Sequence, residues 1–570
     1  MQLQFAAERK QNYNGWFNQI KQNPAPYFLG FWLLLNLVQI ACTELTSDEG
    51  YYWFYAQHLQ WGYYDHPPLL AAMIKAGSIL FGGEFGVRFF NVVLSTAGLW
   101  LFFSLLPDEL KRSQKTYWVL LSAPLLHYLT FLVFPDGPLL FFSLLFLVFY
   151  KRFLAKKTLT TALLLGLSLA LMAYAKYHGA LVLLFTVIAN PKLLKSGYFY
   201  LALLLAGILF LPHLWWQYQN GFPTFKYHLS GRTGAWSFRH VGEYVSQQIF
   251  AIGPALIFLP FVVKTKGVFE RTLKFIIIGT FIFFLVSSFK TFVHFHWTSI
   301  ALYPLLYFAV HYYNNPERKN LFRMLVLPFV VLFFVVRLLL MLPLIPNMHV
   351  GEDYYHGRKE WAKEIETLAN NRPVFMPDNL REASLYSFYS THQGVTLYTR
   401  PEKKSQYELW GYEDSLQEKE VLFVSKYPDN GGKKISLLNK DLYHVLIPSF
   451  QSYYNGIAIS ASIDTVTADT LRATLTIRNQ QTGAVSFEKA VGSNYVGIAY
   501  SIEHNKNVLK ANGVLPLTAD DNLLPGASLA KKVSVPISDI PKGTFEIYFG
   551  IRSGVLPDAI LSEEKRFGKP

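Results

Sequence analysis

The stretch SDEGYYWFYAQHLQWGYYDHPPLLAAMIK, Ser47 to Lys75, follows an apolar run, FLGFWLLLNLVQIACT, that is long enough to cross a membrane. It sets three carboxylates, Asp48, Glu49 and Asp65, among tyrosines and tryptophans. Acidic side chains beside a bilayer are costly. Their position directly after a span therefore indicates a functional site.

Composition places the chain among polytopic membrane proteins. Of its 570 residues, 52% are hydrophobic and only 16% are charged, and the mean hydropathy is +0.22. The apolar residues come in runs near the length that spans ~30 Å of hydrocarbon. About eleven such runs predict a helical membrane fold, at residues 27–43, 86–106, 116–134, 136–154, 159–174, 177–190, 198–214, 242–264, 273–288, 296–313 and 321–345. The two short runs around AKYHG are alternatively one long helix.

The net charge of +14 reflects topology rather than nucleic-acid binding, because Lys and Arg lie in short loops between apolar runs. With the N-terminus inside, every predicted inside loop is basic: PDELKRSQK, KRFLAKK, NPKLLKSG, KTKGVFERTLK and NNPERKN. The acids near the membrane then gather on the outer face, at Asp48, Glu49, Asp65, Glu84, Asp136 and Glu243. Simple depletion of Lys and Arg from outer loops is the alternative explanation.

The chain is predicted to comprise four regions. Residues 1–26 are polar and are expected to be a retained cytoplasmic segment without a cleaved signal peptide. Residues 27–345 form the membrane domain, with a first outer loop at 44–85. Residues 350–448 alternate helix-like and strand-like segments, which predicts a small α/β domain. Residues 452–570 read as successive strands, which predicts a β-sandwich-like domain, and an odd span count puts both outside.

Within the first outer loop, the pattern predicts two interfacial helices. Glu49 to Trp61 is aromatic-rich, as expected at headgroup depth. Pro67-Pro68 ends this element and allows a second helix over Leu69 to Leu80. Asp65 and His66 lie at the hinge, where Asp65 either points into a cavity or caps the second helix.

Two further outer motifs carry charge. Asp136 lies in FPDGPLLFF, in a turn so tight that a helix N-cap is the simpler explanation. Lys176 lies in AKYHG, away from the basic inside loops. It is a candidate ligand for an anion such as phosphate, and snorkelling to lipid headgroups is the alternative.

Two aromatic motifs complete the set. WWQYQNGFPTFKYHLSGR carries Arg232 near its end, and FKTFVHFHW carries His294 and His296. The alternating histidines, with Asp65, form a candidate divalent-metal site, although interfacial histidines are the commoner explanation. Aromatics and acids suit sugars, while lysine and arginine suit a lipid phosphate. A reaction between a sugar linked to a lipid phosphate and a hydroxyl acceptor needs one carboxylate as general base.

The ordered motifs DEGYYW, GYYDHPPL, PDGPLLFF, AKYHG and WWQYQNGFPTFKYHLSGR resemble the bacterial glycosyltransferase family 39 proteins. These are related to the aminoarabinose transferase of lipid A and to the protein O-mannosyltransferases. The resemblance runs from about residue 27 to about 415, and SQYELWGY is similar to a further tract of these proteins. It implies the GT-C fold and an enzyme that uses a polyprenyl-phosphate-linked sugar.

The resemblance also implies site residues. The implied catalytic acids are Asp48, Glu49 and Asp136. Asp48, first of the Asp48-Glu49 pair, corresponds to the carboxylate that activates the acceptor hydroxyl, and Asp136 to a second outer acid next to the acceptor or lipid site. Lys176 is implied to bind the donor phosphate, and Arg232 joins it by charge alone. His66 and Tyr51 are further implied donor-phosphate positions, where the lipid A transferase has lysine and arginine. Asp65 matches an acid that can bind a metal in that enzyme. The implied substrate cavity comprises Asp65, Tyr52, Tyr177 and His178.

The predicted function is therefore inverting transfer of a sugar from undecaprenyl phosphate to a lipid, glycan or protein acceptor, at the outer face of a bacterial inner membrane. A transporter or lipid flippase is one alternative, but such proteins carry charges near mid-membrane and often internal repeats, and this chain shows no repeat. A non-catalytic envelope assembly protein, acting through its β domain, is another.

Overall fold

The structure, a computed structural model, describes residues 22–228, 236–350, 353–400, 403–426, 428, 432–487 and 496–570. Its chain divides into two compact units, Met1–His356 and Gly357–Pro570. The first unit is almost entirely helical, and the second combines short helices with sheets.

Helices of the first unit follow the apolar runs. They are α1 (Pro24–Cys42), α2 (Ser47–Gln57), α3 (Leu69–Leu80), α4 (Gly83–Leu105), α5 (Asp108–Arg112), α6 (Gln114–Leu121), α7 (Pro124–Phe131), α8 (Asp136–Ala155), α9 (Leu159–Ala175), α10 (Gly179–Ala189), α11 (Gly197–Gln219), α12 (Pro223–Lys226), α13 (Phe238–Ile252), α14 (Leu259–Val262), α15 (Gly267–Ser288), α16 (Leu302–Asn314), α17 (Lys319–Leu325) and α18 (Leu327–Met341). Short 3-10 helices lie at Pro191–Lys195, Phe295–Ala301 and Pro316–Arg318. The unit closes with a small antiparallel pair, β1 (His349–Val350) and β2 (Asp353–Tyr354).

Every predicted span contains helix, and several are broken. Among the described residues, five helical segments are long and apolar enough to cross a membrane: Pro24–Cys42, Gly83–Leu105, Asp136–Ala155, Gly197–Gln219 and Pro316–Met341. The run at 116–134 is split into α6 and α7 at Pro124, because proline has no backbone N–H to donate to the preceding helical turn. The segments around AKYHG are two helices, α9 and α10, rather than one. The total of eleven spans remains a prediction.

The first loop contains the two expected helices, α2 and α3. Helix α2 begins in a capping box in which Thr46 and Glu49 satisfy each other's backbone donors. Helix α3 has Pro68 at its N-cap, with no side-chain cap. Asp65 is therefore not the cap of α3, and its carboxylate has another use.

A buried arginine ties α1, α7 and α18 together inside the first unit. The guanidinium of Arg337 donates to Asn36 Oδ1 at 2.6 Å and to Gln39 Oε1 at 3.0 Å. It also lies 3.2 Å from His127 Nδ1, and its side chain is 2% exposed. An ionised group inside a membrane bundle is expensive unless its donors are satisfied. This network therefore fixes the relative position of the first and last long apolar helices.

The second unit is built from helices α19 (Arg358–Ala369), α20 (Leu380–Tyr389), α21 (Gln406–Leu409) and α22 (Tyr412–Leu416) and strands β3 (Val374–Phe375), β4 (Gly394–Val395), β5 (Val421–Ser425), β6 (Lys433–Leu437), β7 (Lys440–Ile447), β8 (Ile457–Val466), β9 (Thr470–Asn479), β10 (Val496–His504), β11 (Asn507–Pro516), β12 (Ser528–Pro536), β13 (Gly543–Ser553), β14 (Ala559–Ile560) and β15 (Lys565–Lys569). One sheet has the order β4-β3-β5-β7-β6, with β3 parallel to both β4 and β5. The other two sheets, β11-β10-β13-β14 with β15 against β13, and β12-β9-β8, enclose a separate core.

The period-two pattern predicted this second core. Along β9, Leu471, Ala473, Leu475 and Ile477 are buried in it, and the intervening residues point away. Strand β10 differs, because it is buried on both faces from Val496 to Glu503. Its second face is covered from within the same unit.

Glu413 connects the two sheet systems of the second unit. Its buried carboxylate accepts hydrogen bonds from Ser452 Oγ at 2.7 Å, from Tyr454 N at 2.6 Å and from Asn455 N at 2.7 Å. These three residues lie between the last strand of the α/β sheet, β7, and the first strand of the sandwich, β8. Burial raises the pKa of Glu413 to about 7 despite these bonds.

The raised pKa of Glu413 predicts that the stability of the second unit depends on pH. The pKa of Glu413 is higher in the folded protein than in the unfolded one. Its contribution to the free energy of unfolding is therefore complete below the unfolded pKa and falls by about 3 kcal/mol as the pH rises to about 7. We expect Glu413→Gln to reduce the fall in melting temperature between pH 5 and pH 8, about the interval bracketed by the two pKa values. The exposed Glu360→Gln on α19 is the control, and an identical fall in all three proteins would contradict the assignment.

Candidate active site

Glu49 and Arg88 form a completely buried ion pair at the start of α2. Arg88 Nε donates to Glu49 Oε1 at 2.7 Å and Arg88 Nη2 to Glu49 Oε2 at 2.6 Å, and both side chains are 0% exposed. The same guanidinium donates to the carbonyl oxygens of Thr43 at 2.5 Å and of Glu44 at 2.8 Å. The fork geometry of arginine suits this bidentate contact. We call this pair the Glu49–Arg88 clamp.

The clamp joins four pieces of chain. Besides Arg88 on α4 and the end of α1, Glu49 accepts hydrogen bonds from Thr46 N at 2.9 Å and from Thr46 Oγ1 at 3.0 Å. It also accepts one from Val133 N at 2.9 Å, in the segment before α8. This saturated environment favours a structural role for Glu49 over the predicted catalytic one.

Asp48 differs from its neighbour in exposure. It lies in the first turn of α2 and is partly exposed, whereas Glu49 is fully buried. Ser47, which precedes it, donates to Asp353 Oδ1 at 2.7 Å. The segment that follows the last apolar helix thus contacts the turn that carries Asp48. Of the two adjacent acids, Asp48 is the one whose side chain has exposed surface.

Asp136 and Lys176, predicted separately, meet in a second buried ion pair. Lys176 Nζ lies 2.6 Å from Asp136 Oδ2, and Ser299 Oγ donates to Asp136 Oδ1 at 3.2 Å. Asp136 is fully buried and Lys176 nearly so. Lys176 therefore does not snorkel to headgroups, and Asp136 is more than a helix cap. Residues from two separate predicted motifs therefore meet at this point, together with Ser299, which lies just after a third.

Histidines and a tryptophan surround this pair. His296 Nε2 lies 3.7 Å from Asp136 Oδ2, and Lys176 Nζ lies 5.7 Å from the ring centre of Trp297, within cation–π range. The rings of His178 and His294 lie 5.3 Å and 5.4 Å from that of Trp297. The predicted residues Lys176, His178, His294 and His296 are thus brought together around Asp136.

Aromatic rings connect this cluster with α2. Phe134 lies between them, with its ring centre 5.2 Å from that of His296 and 6.2 Å from that of Tyr52. Tyr52 also contacts His66, at 5.6 Å between ring centres. Tyr51, which has the implied phosphate position, is buried and packs 4.5 Å from the ring of Tyr55.

The carboxylate of Asp65 is hydrogen-bonded to a tyrosine and, within the described residues, is not part of a group of metal-ligating side chains. Tyr55 Oη donates a short hydrogen bond to Asp65 Oδ1, and His66 Nε2 lies 3.9 Å from Asp65 Oδ2. Burial, then the charge of Asp65, raises the pKa of Tyr55 well above its usual value, which keeps its hydroxyl a donor. Within the described ranges, no three His, Cys, Asp or Glu side chains are grouped to hold a metal. The structure therefore does not unite Asp65 with His294 and His296, and metal dependence remains a prediction.

Helices α11 and α12 support the first loop through two residues, His213 and Thr224, that were not among the predicted site residues. His213 bridges Tyr177 Oη and the carbonyl oxygen of Trp61, at 2.7 Å from each. Thr224 Oγ1 donates to the carbonyl oxygen of Tyr63 at 3.0 Å. The predicted residue Tyr177 therefore helps to position the loop. Arg232 lies outside the described residues.

Arg88, like Arg337, had a recognisable signal. Each is a single arginine in an otherwise apolar run, in GVRFFNVV and FVVRLLLM. A buried arginine needs acceptors from neighbouring elements, so the run itself predicts a polar partner. What the run does not identify is the partner, which is Glu49 for Arg88 and a set of neutral acceptors for Arg337.

Comparison with known proteins supports the predicted resemblance. Residues 65–216 match the family model described as dolichyl-phosphate-mannose-protein mannosyltransferase. The chain is 26% identical over 249 residues to the lipid A galacturonosyltransferase RgtD from Rhizobium johnstonii, a match covering 40% of this chain. The chain spans about half, 51%, of that relative's length.

The fold also has solved counterparts. ArnT from Cupriavidus metallidurans in the apo state aligns with a TM-score of 0.55 and 14% identity, over 76% of this chain and 98% of that protein. The structure of the same protein bound to undecaprenyl phosphate aligns with a TM-score of 0.51, over 73% and 97%. The predicted likeness to family 39-type glycosyltransferases and the GT-C fold with a sheet-rich C-terminal region are thereby confirmed. The expected membrane character agrees with the apolar helices.

Breaking the clamp is predicted to destabilise the first unit strongly. Arg88→Met leaves Glu49 buried without its cation, which costs roughly 3–5 kcal/mol. The matched control is Arg239→Met, which breaks an exposed pair with Glu243 and costs at most about 1 kcal/mol. Thermal unfolding of the purified protein in detergent compares the two. Equal melting temperatures for both variants would contradict the structural role of the clamp.

Proposed function

We propose that this protein is a membrane glycosyltransferase that moves a sugar from a polyprenyl phosphate to a hydroxyl of a lipid acceptor. The observation that carries the proposal is the contrast between Asp48 and Glu49. One acid is partly exposed, and its neighbour is fixed by the buried clamp at the same helix start. A base that is held in place yet reachable is what activation of a hydroxyl needs.

The relatives support this choice of substrates. RgtD is named a lipid A transferase, and the ArnT structure holds undecaprenyl phosphate. We accordingly place the protein in a bacterial inner membrane, with the N-terminus cytoplasmic and the site at the outer face.

The proposed chemistry is a single displacement. The acceptor oxygen attacks the anomeric carbon while its proton passes to the carboxylate of Asp48. The bond from the anomeric carbon to the phosphate oxygen breaks, and the phosphate leaves with the electron pair, so the configuration inverts. A phosphate is a stable leaving group, and no protein acid has to protonate it.

Lys176 is proposed to stabilise the phosphate as it departs. In the structure its ammonium contacts Asp136 on one side and lies over Trp297. The positive charge of the ammonium attracts the developing negative charge of a phosphate oxygen in a charge-assisted hydrogen bond. Asp136 and Ser299 then orient the lysine rather than act as base. A divalent metal is retained as an additional proposal, tested by chelation during turnover.

The direct test supplies the purified protein with undecaprenyl phosphate sugars and lipid A in mixed micelles. We expect one sugar to move to the lipid acceptor for each undecaprenyl phosphate released, with inverted anomeric configuration. Release of free sugar alone, or no turnover of any donor by the folded protein, would contradict the proposal.

Asp48→Asn is predicted to lower kcat by roughly 10²–10⁴-fold, the usual contribution of a general base. Its melting temperature should stay near that of the wild type, because the clamp is intact. Asp108→Asn is the matched control, since Asp108 is exposed on α5 and its carboxylate pairs with Lys111 at 2.9 Å. Equal activity of Asp48→Asn and Asp108→Asn would refute the base assignment.

Lys176→Met is predicted to reduce kcat/KM for the donor by about 10–100-fold, the value of a charge-assisted hydrogen bond. Lys176→Arg should recover part of this loss, because it keeps the charge. The exposed Lys192→Met is the control. An effect confined to the acceptor KM would show that Lys176 serves a different substrate.

A further inference from the structure

The second unit contains a cavity of about 200 Å³ that the proposed reaction does not use. It lies between the α/β sheet and the sandwich sheet β11-β10-β13-β14, and all of its walls come from the second unit. The loop walls carry Asp378, Thr399 and Arg400, and the sheet floor carries Ser501 and Tyr548.

The position of the cavity follows from the topology of the α/β sheet. Strands β3, β4 and β5 are parallel, and Asp378 and Arg400 lie just beyond the carboxyl ends of β3 and β4. In open α/β sheets, ligands bind outside the carboxyl ends of parallel strands. Asp378 adopts a left-handed conformation there, with φ of 53°, and its carboxylate accepts from Thr399 N at 2.9 Å.

The floor of the cavity is made concave by small side chains. Ile498, Tyr500 and Ile502 point into the sandwich core, so Ala499 and Ser501 face the opposite side. In the neighbouring strand, Gly550 lies opposite Ala499 and Tyr548 lies opposite Ser501. Small residues next to one aromatic ring leave a pocket with a flat wall. This explains why β10 is buried on both faces.

The charges that line or adjoin the cavity favour a ligand without net negative charge. Arg400 pairs with the buried Glu503, and its guanidinium lies 5.2 Å from the ring centre of Tyr548. Arg552 binds Asp558 through Nε at 2.7 Å and Nη2 at 2.8 Å. With Asp378, three carboxylates face two guanidinium groups. The balance is one negative charge, which favours ligands that donate hydrogen bonds.

The volume restricts the ligand further. Sites for drug-sized ligands hold roughly 300–1,000 Å³. A cavity of about 200 Å³ takes one ring-sized molecule. Carboxylate acceptors, guanidinium donors and one tyrosine face together suit a molecule with several hydroxyl groups and apolar C–H faces.

We propose that this cavity, framed by Asp378, Arg400, Ser501 and Tyr548, is a carbohydrate-binding site that takes one neutral sugar unit. It would give the C-terminal unit a binding function of its own. The proposal does not depend on glycosyl transfer and is tested without turnover.

The test is hydrogen exchange on the full-length protein in detergent, read by mass spectrometry. The probes are methyl glycosides of glucose, galactose, mannose and N-acetylglucosamine at high millimolar concentration, with inorganic phosphate and glycerol as controls. We expect at least one glycoside to slow amide exchange in residues 497–503 and 546–552, and neither control to do so. No protection by any glycoside, or equal protection by phosphate or glycerol, would overturn the proposal.

Two variants locate the effect. Ser501→Leu fills the floor of the cavity and should abolish the protection by glycoside. The matched control, Ser460→Leu, makes the same change at an exposed position of β8 and should leave it intact. Protection that persists in folded Ser501→Leu would contradict the proposed site. If Ser501→Leu does not fold, Tyr548→Leu replaces it with the same expectation.

Discussion

A completely buried ion pair, Glu49 with Arg88, holds together the end of the first unit that carries Asp48. Its cost is the removal of two charges from water, which only excellent geometry offsets. The geometry is met here, since both carboxylate oxygens and three guanidinium nitrogens have partners within 3.0 Å. As a result, the end of α1, the start of α2, the helix α4 and the entry to α8 share one fixed point. Any chemistry at Asp48 depends on that point.

A division of labour among the acids follows from this constraint. The hydrogen bonds of Glu49 stabilise the fold, and the carboxylate of Asp136 contacts Lys176 and Ser299. Asp65 is fixed by Tyr55 at the hinge of the loop. Of these four acids, Asp48 is the one that lies in the clamped first turn and is also partly exposed. Clustered carboxylates therefore need not all be catalytic, and burial distinguishes their roles.

Much of this could be predicted from the sequence. Apolar runs gave the helices, period-two alternation gave the sandwich, and the ordered motifs gave the resemblance to family 39-type enzymes. The candidate acids and Lys176 were identified because charged residues at the edge of apolar runs are costly.

The partners of these residues could not be predicted. Asp48 and Glu49 are adjacent, and successive helical residues point about 100° apart, so only the packed helix shows which one faces inward. The pairing of Asp136 with Lys176, 40 positions along the chain, depends on how the start of α8 and the end of α9 come together. The same holds for Arg88, whose partner lies 39 positions before it. Sequence patterns predict how deep in the membrane a charged residue lies, but only the tertiary packing shows which residue it pairs with.

The decisive measurement is mass spectrometry of the lipid-linked sugars and envelope lipids from cells that carry either the wild-type chain or Asp48→Asn at equal abundance. The account predicts that, with Asp48→Asn, one envelope lipid lacks a single sugar and the matching polyprenyl phosphate sugar accumulates. Together these changes identify donor and acceptor. If neither pool differs between the two strains, the protein does not transfer sugar through Asp48, and the account is wrong.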